Sequence, residues 1–309
     1  MTDKNTTSSK TMEIRLGKIY DNLPDKEIEI KFLDSLTLKQ FQEFENAILK
    51  IEELHNIRRL LDFVIINDNK IITLLNSALH ELLSKSVSWN GVKRVDADKI
   101  FFESNRLLLN YLSSVNIFLC HCETYLNRKF GDNSEIFSEF KIMLSAFYDN
   151  SFAYRFLYQL RNYSQHCGLP LDNIQFTSES DRDNNRIKGT LKITFNRDIL
   201  LANYKKWKTV KSDLEKMDNE FDVTPLLFEM THNIKEIERN IELFHKDELI
   251  KAANYITDLT KHLQVDKGEI FVAYDFKTKE NGELEKYQSI HIPFDTIDFI
   301  QKMFSVNVR

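Results

Sequence analysis

Apolar residues recur at steps of three and four over most of the chain, which is the pattern of helices that bury one face. Thr37 and Gln40 have the spacing of a capping box, and Phe41, Phe44 and Ile48 follow at helical spacing. The first firm helix is therefore predicted to begin at this box. The same pattern predicts the main helices over residues 37–66, 71–88, 98–128, 134–166 and 226–263, with a break at 67–69 and a possible division of the fourth helix.

Alternation of apolar and polar residues, which is typical of strands, is confined to short stretches. Beyond Pro170 it appears near 173–197, where a polar loop divides it into two halves, and this predicts a β-hairpin. It returns within 265–309 around an Asn281-Gly282 turn signal and is followed there by a short helical stretch. A brief alternation at Glu29–Phe32 is a further strand signal.

These patterns together predict a mainly α fold. Residues 1–11 contain almost nothing to bury and are predicted to form a disordered tail. Residues 12–264 are predicted to form a helical domain with the hairpin near 173–197 inserted, and 265–309 a small C-terminal α+β segment of one hairpin and one helix. A content of only 7 glycines and 4 prolines favours long uninterrupted helices.

Charge and cysteine content limit the kinds of ligand surface and the cellular compartments that we expect for the protein. The net charge of -5 provides no broadly basic surface, so any nucleic-acid site has to be a local patch. Cys120, Cys122 and Cys167 are few and odd in number, and the polar N-terminus has no apolar signal segment. No apolar run approaches the roughly 20 residues of a membrane span. We therefore expect a cytoplasmic protein that does not enter a membrane.

The strongest candidate for chemistry is the stretch LRNYSQHCGLP, which ends the fourth predicted helix. Gly168 and Pro170 are typical of a helix end, so His166 is expected in the last turn. An imidazole can exchange protons near neutral pH, and the planar guanidinium of Arg161 can grip a phosphate or carboxylate through two hydrogen bonds. Asn162 lies one turn before His166 and can orient the imidazole or a ligand oxygen. A solvated Arg and His at a helix end would have the same spacing.

Arg161, Asn162 and His166 match the R-(polar)-x(n)-H signature of the HEPN superfamily, and the string LRNYSQHCGLPL resembles the form it takes in bacterial members. The resemblance implies a helical bundle and a homodimer in which two copies of the motif face each other across a cleft. The sequence also gives a reason for pairing. Arg161 and His166 are five residues apart and would point about 140° apart on an ideal helix, so one helix face cannot easily present both.

The resemblance also implies an activity, which is metal-independent endoribonuclease chemistry without a cofactor, often in toxins or phage-defence effectors. In that chemistry the ribose 2′-OH attacks the adjacent phosphate, with His166 as general base or acid, Arg161 neutralising charge and Asn162 orienting. RNA, a second copy of the chain and an antitoxin or defence-system protein are the implied partners. The alternative is a catalytically inactive HEPN-type helical module that binds a partner protein or a nucleotide.

A basic stretch between Arg182 and Lys216 offers a candidate RNA surface. Lys205, Lys206 and Lys208 surround Trp207, and cations around an aromatic ring can hold a phosphate backbone and stack a base. A solvated charged face with a partly buried tryptophan is the competing interpretation.

Other familiar motifs do not fit the sequence. The glycines are too far apart for a phosphate-cradling loop. His80-Glu81 begins a zincin motif, but Ser84 stands where the second histidine is needed. The Cys120-His121-Cys122 run would point in three directions on a helix and has no second ligand pair at the usual spacing, so no metal site is expected there.

Overall fold

A computed structural model describes residues 13–22, 27–87, 93–181, 186–263 and 268–305. The predicted tail at 1–11 lies outside this part of the chain. In chain order the elements are β1 (Arg15–Asn22), β2 (Glu27–Ser35), α1 (Leu38–Val87), α2 (Arg94–Phe130), α3 (Glu135–Asn150), α4 (Phe152–His166), β3 (Asn173–Asp181), β4 (Arg186–Asn196), α5 (Arg197–Asn203), α6 (Val210–Leu214), β5 (Glu220–Asp222), α7 (Thr224–Phe244), α8 (Lys246–Thr260), β6 (Glu269–Thr278), β7 (Leu284–His291) and α9 (Phe294–Ser305).

The chain divides into two compact units. One unit combines Met1–His55 with His245–Arg309, and the other is the continuous segment Asn56–Phe244. The boundaries fall within α1 and at His245, between α7 and α8.

The first unit is built on an antiparallel sheet of four strands in the order β2-β1-β6-β7. The central strand β1 is preceded by the buried Ile14 and carries the buried Leu16, and the 2% exposed Lys18 donates to the carbonyl of Leu263 at 2.8 Å. A Cβ at Gly17 would overlap the ring of Phe271, so the residue allows close packing across the β1–β6 pair. Gly and Lys within a buried strand explain why alternation gave little warning of it.

The prediction of a mainly α fold with one inserted hairpin and a small C-terminal piece is wrong. The protein has an α+β fold with two antiparallel sheets, because the C-terminal hairpin pairs through β6 with the N-terminal β1, and β5 adds a third strand to the β3–β4 hairpin. Pairing between strands distant in sequence leaves no local signal.

Two helix boundaries also differ from the sequence prediction. The predicted break at 67–69 is absent, since α1 runs unbroken for 50 residues. The buried Val64 and Ile71 are two turns apart on one side of α1, and Asp68 is held by a hydrogen bond with Thr231. Conversely, the predicted helix over 226–263 is interrupted at His245, whose backbone angles of φ -107° and ψ 4° are not helical.

The second unit packs the rest of α1 with α2, α3, α4 and α7, together with the sheet in the order β3-β4-β5. The hairpin predicted near 173–197 is present as β3 and β4, and it packs through Ile174, Phe176 and Leu191 on a small cluster of α1 and α2. Helix α4, which carries the candidate motif, packs on α2, α3, α6 and α7.

Candidate functional site

Helix α4 begins at its own cap, so the predicted fourth helix is indeed two helices. The hydroxyl of Ser151 accepts a hydrogen bond from the backbone N–H of Tyr154 at 3.0 Å, in the manner of an N-cap. Ser134 caps α3 in the same way. Tyr148, which the prediction of one helix over 134–166 placed on the motif helix, therefore belongs to α3.

An aromatic cluster fixes the buried side of α4. The indole of Trp207 stacks on the rings of Phe156 and Tyr163, each with a centroid distance of 5.8 Å, and Tyr204 meets it edge-on at 5.2 Å. The indole Nε1 donates to the carbonyl of Leu200 at 3.0 Å. These contacts hold the motif helix on a rigid base.

The proposed base-stacking role of Trp207 is therefore not available in this structure. The side chain is only 1% exposed and its ring packs on Phe156, Tyr163 and Tyr204, so it offers no face to a nucleotide. By contrast, Lys205, Lys206 and Lys208 are all exposed. The three lysines remain candidates for binding RNA phosphates, whereas Trp207 is part of the hydrophobic core.

The predicted end of the motif helix is confirmed. His166 is the last helical residue of α4, the backbone N–H of Cys167 donates to the carbonyl of Tyr163 at 2.8 Å, and Gly168 follows with a φ of +139°. The His166 imidazole is exposed, and the described residues provide it with no hydrogen-bond or ion-pair partner. Its ring nitrogens are accordingly open to a ligand.

Arg161 is half-buried and carries a charge that no described carboxylate neutralises. Among the described residues its Nη1 reaches only the Oδ1 of Asn162, at a long 3.5 Å, and Asn162 Nδ2 donates to Gln159 Oε1 at 3.4 Å. Both contacts are weak by their lengths. A guanidinium in this position can exchange them for the oxygens of an anion at little cost.

The structure places Arg161 and Asn162 side by side, but it does not join either of them to His166. The described hydrogen bonds contain none between Arg161 and His166, in agreement with the divergence of about 140° expected from five steps along a helix. Asn162 lies one turn from His166, about 40° away around the same helix. The full trio on one phosphate requires a second copy of the chain or a rearranged last turn.

A groove of about 420 Å³ between α2, α3 and α4 was not foreseen from the sequence. Tyr154 and Tyr158 form its α4 wall one turn apart, and Tyr148 lines it from α3. The pair of tyrosines at i and i+4 is a usable sequence signal. The apolar pattern of the predicted helix over 134–166 obscures it, because that pattern continues across the boundary between α3 and α4.

Two buried carboxylates beside Arg58 were also missed. Glu238 and Glu242 are 2% and 3% exposed on α7, and Arg58 Nη1 lies 3.1 Å from both oxygens of Glu238 and 3.8 Å from Glu242. Burial, together with the charge of Glu238, raises the pKa of Glu242 to about 8, while Arg58 opposes the shift. A sequence signal existed, because these acids sit beside the core residues Ile237 and Ile241.

Two further kinds of site are absent from the part of the chain that the structure describes. The described residues contain no group of three or more His, Cys, Asp or Glu side chains placed to hold a metal ion. None of the helices within these ranges combines the length and apolarity needed to cross a membrane.

Compared with models of protein families, with curated proteins and with solved structures, the chain matches none of them.

Proposed function

We propose that the protein is a metal-independent endoribonuclease of the HEPN type that works in the cytoplasm. The observation that carries this proposal is the cation Arg161, which lies beside Asn162 on α4 without a carboxylate partner among the described residues, on the helix that ends in the exposed His166. A paired arginine would be structural. An arginine that has no carboxylate partner among the described residues, on the helix that ends in an open imidazole, is suited to a phosphodiester.

The chemistry follows from these groups. The 2′-oxygen loses its proton and forms a bond to phosphorus, while the bond from phosphorus to the 5′-oxygen breaks and that oxygen gains a proton. An imidazole nitrogen of His166 takes or returns a proton, and Arg161 neutralises charge on the non-bridging oxygens. Asn162 orients the phosphate or the imidazole. The products are a 2′,3′-cyclic phosphate and a 5′-OH end.

A homodimer would complete this site. Because Arg161 and His166 diverge by about 140° on α4, a two-fold pair can bring the arginine of one copy and the histidine of the other to the same phosphate. Two imidazoles at one cleft would also allow one to accept a proton while the other donates. Sedimentation at micromolar protein and near-physiological salt should therefore show a dimer.

The cellular role that best suits such an activity is that of a toxin or antiviral defence effector restrained by an antitoxin or defence-system protein. This part of the proposal rests on the resemblance of the stretch LRNYSQHCGLPL to bacterial HEPN proteins. A nuclease that cleaves cellular RNA has to be held inactive until it is needed.

The decisive experiment incubates RNA with wild type and with His166→Ala, each with and without EDTA. Wild type should cut RNA in EDTA and leave cyclic phosphate ends, and His166→Ala should be slower by about a hundredfold or more, the usual contribution of a positioned acid or base. The fold should survive, because the imidazole is exposed.

Equal cleavage by both proteins, or loss of activity in EDTA, would contradict the proposed mechanism. Failure of wild type to cleave any RNA would favour the alternative, a catalytically inactive HEPN-type module that binds a partner protein or a nucleotide at the same helix.

A further inference from the structure

The groove between α2, α3 and α4 has the properties of a ligand site. Its volume of about 420 Å³ falls within the range of roughly 300–1,000 Å³ that is usual for small-molecule pockets. Its lining mixes apolar, aromatic and charged side chains. They are Leu119, Cys120, Glu123, Lys141, Leu144, Ser145, Tyr148, Asp149, Tyr154 and Tyr158.

Two tyrosines of α4 give this groove an aromatic wall with unused polar groups. Tyr158 is 40% exposed, so a planar group can reach its ring. Tyr154 is only 4% exposed, yet its hydroxyl has no hydrogen-bond partner among the described residues. Burial raises the pKa of Tyr154, which keeps this phenol neutral and able to donate. The hydroxyl oxygen of Tyr154 is not among the fully buried polar atoms that lack a partner, so it reaches the open groove and can donate to a ligand there.

The charges of the groove favour a base over a phosphate. Lys141 is paired with Glu123, with 2.6 Å between Nζ and Oε1, and Asp149 adds a second carboxylate near an Arg155 that is already paired with Asp213. An acidic lining repels a phosphate, whereas a carboxylate and a phenol can bond the N–H groups and ring nitrogens of a nucleobase.

Two cations lie close in sequence to residues at this groove, and they are candidates to hold the attached backbone. The hydroxyl of Tyr148 lies 3.2 Å from that of Thr209, which directly follows the exposed Lys208. Arg161 comes three residues after Tyr158, about 60° around α4 and about 4.5 Å along it. Lys208 and Arg161 are therefore the candidate contacts for the phosphates that adjoin a bound base.

We infer that this groove binds one unpaired nucleobase of a single-stranded RNA, stacked on Tyr158 and bonded by Tyr154. The backbone on either side of the base contacts the lysines near Thr209 and the guanidinium of Arg161. The identification of RNA rests on the proposed function. The groove itself supplies the preference for an unpaired base, and so restricts the substrate to single-stranded segments.

The test measures binding of fluorescent single-stranded RNA of about eight nucleotides, within the usual site size, by anisotropy in the full-length His166→Ala protein. Tyr158→Ala should weaken binding about tenfold, the effect of losing one stacked base, and Tyr158→Phe should restore most of it. Ser145→Trp fills the groove from its exposed α3 side and should weaken binding similarly. Phe228→Ala removes a 77% exposed ring from α7, outside the groove lining, and should change nothing.

A second arm replaces the nucleotides of the RNA one at a time by abasic residues. One abasic position should reduce affinity about as much as Tyr158→Ala, and in the Tyr158→Ala protein that position should no longer matter, because both changes remove the same stacking interaction. Equal effects of Phe228→Ala and Tyr158→Ala, or no sensitivity to abasic positions, would overturn the inference.

The outcomes separate this inference from the proposed function. If wild type cleaves RNA but Tyr158→Ala binds RNA as well as the parent protein, the ribonuclease proposal is supported and the base site is contradicted. If RNA binding depends on Tyr158 but wild type cleaves no RNA, the base site is supported and the ribonuclease proposal is contradicted. Absence of RNA binding by the His166→Ala protein up to high micromolar concentration would overturn the groove assignment.

Discussion

Arg58 and Arg161 lie in the same unit but differ in their carboxylate contacts. Arg58 sits against two carboxylates with 2% and 3% exposure, and its guanidinium contacts both. Within the described ranges, the polar contact of the Arg161 guanidinium is one neighbouring amide at 3.5 Å. The guanidinium of Arg58 is bound by carboxylates of the fold, whereas that of Arg161 keeps donors that a ligand can use. The presence or absence of a partner, and not the residue type, distinguishes a structural cation from a candidate binding one.

The largest expected difference between the two arginines is in the stability that is lost when each side chain is replaced by alanine. Arg58→Ala removes the guanidinium that contacts both buried acids, and loss of one member of a buried pair costs about 3–5 kcal/mol. Since Arg58 is 39% exposed and screened, we expect about 3 kcal/mol in the free energy of unfolding from urea titration, at the low end of that range. Arg161→Ala should cost no more than about 1 kcal/mol, the ordinary value for a point substitution. Equal losses would mean that Arg161 is structural as well.

The buried acids beside Arg58 should also make the stability of the fold depend on pH, which the surroundings of Arg161 are not expected to do. The pKa of Glu242 is about 8 in the folded protein against an ordinary value of 4.5, so the folded state holds a proton that the unfolded state has lost between these values. Stability contributed by this proton is complete below about pH 4.5 and is lost as pH rises towards 8, with a slope of up to about 1.4 kcal/mol per pH unit.

Glu242→Gln provides the control for this slope, because an amide stays neutral at every pH. Glu238, Arg58 and Arg239 face Glu242, so the cluster titrates as one unit. Urea midpoints between about pH 5 and 8 should fall for wild type and remain flatter for Glu242→Gln. Parallel curves for the two proteins would assign the pH dependence to other groups.

On the other side of the comparison, Arg161→Lys keeps the charge but removes the planar fork. If the donors of Arg161 hold a phosphate through two hydrogen bonds, the variant loses at least one charge-assisted bond, and cleavage should fall about tenfold or more. The measurement is the single-turnover rate at saturating RNA. Arg106→Lys, an exposed arginine of α2 paired with Glu103, is the matched control and should keep full activity. Full activity of Arg161→Lys would reduce its role to that of a point charge.

The two regions also show what could be predicted from the sequence. The end of α4 was predictable because its signals are local, with Gly168 after the last turn and Pro170 two residues further. The partners of Arg58 were not, because Glu238 lies 180 residues further along the chain. The pairing of β1 with β6 and the burial of Trp207 likewise depend on residues distant in sequence. The sequence therefore predicted features set by neighbouring residues, whereas the burial and the partners of each side chain depended on tertiary contacts.

The smallest expected effect concerns the exposed lysines 205, 206 and 208, which resemble Arg161 in lacking a carboxylate partner among the described residues. If they bind RNA phosphates, reversing all three to Glu should weaken binding and lower the log-log salt slope by about 0.7 for each single-strand phosphate that is no longer neutralised. The control reverses Lys39, Lys251 and Lys302 in the other unit, which changes the net charge equally. A slope lowered equally by both variants would assign the effect to net charge, and an unchanged slope would make the stretch a solvated surface. A reduction specific to the first variant would mark these lysines, with Arg161, as part of one anion-binding surface.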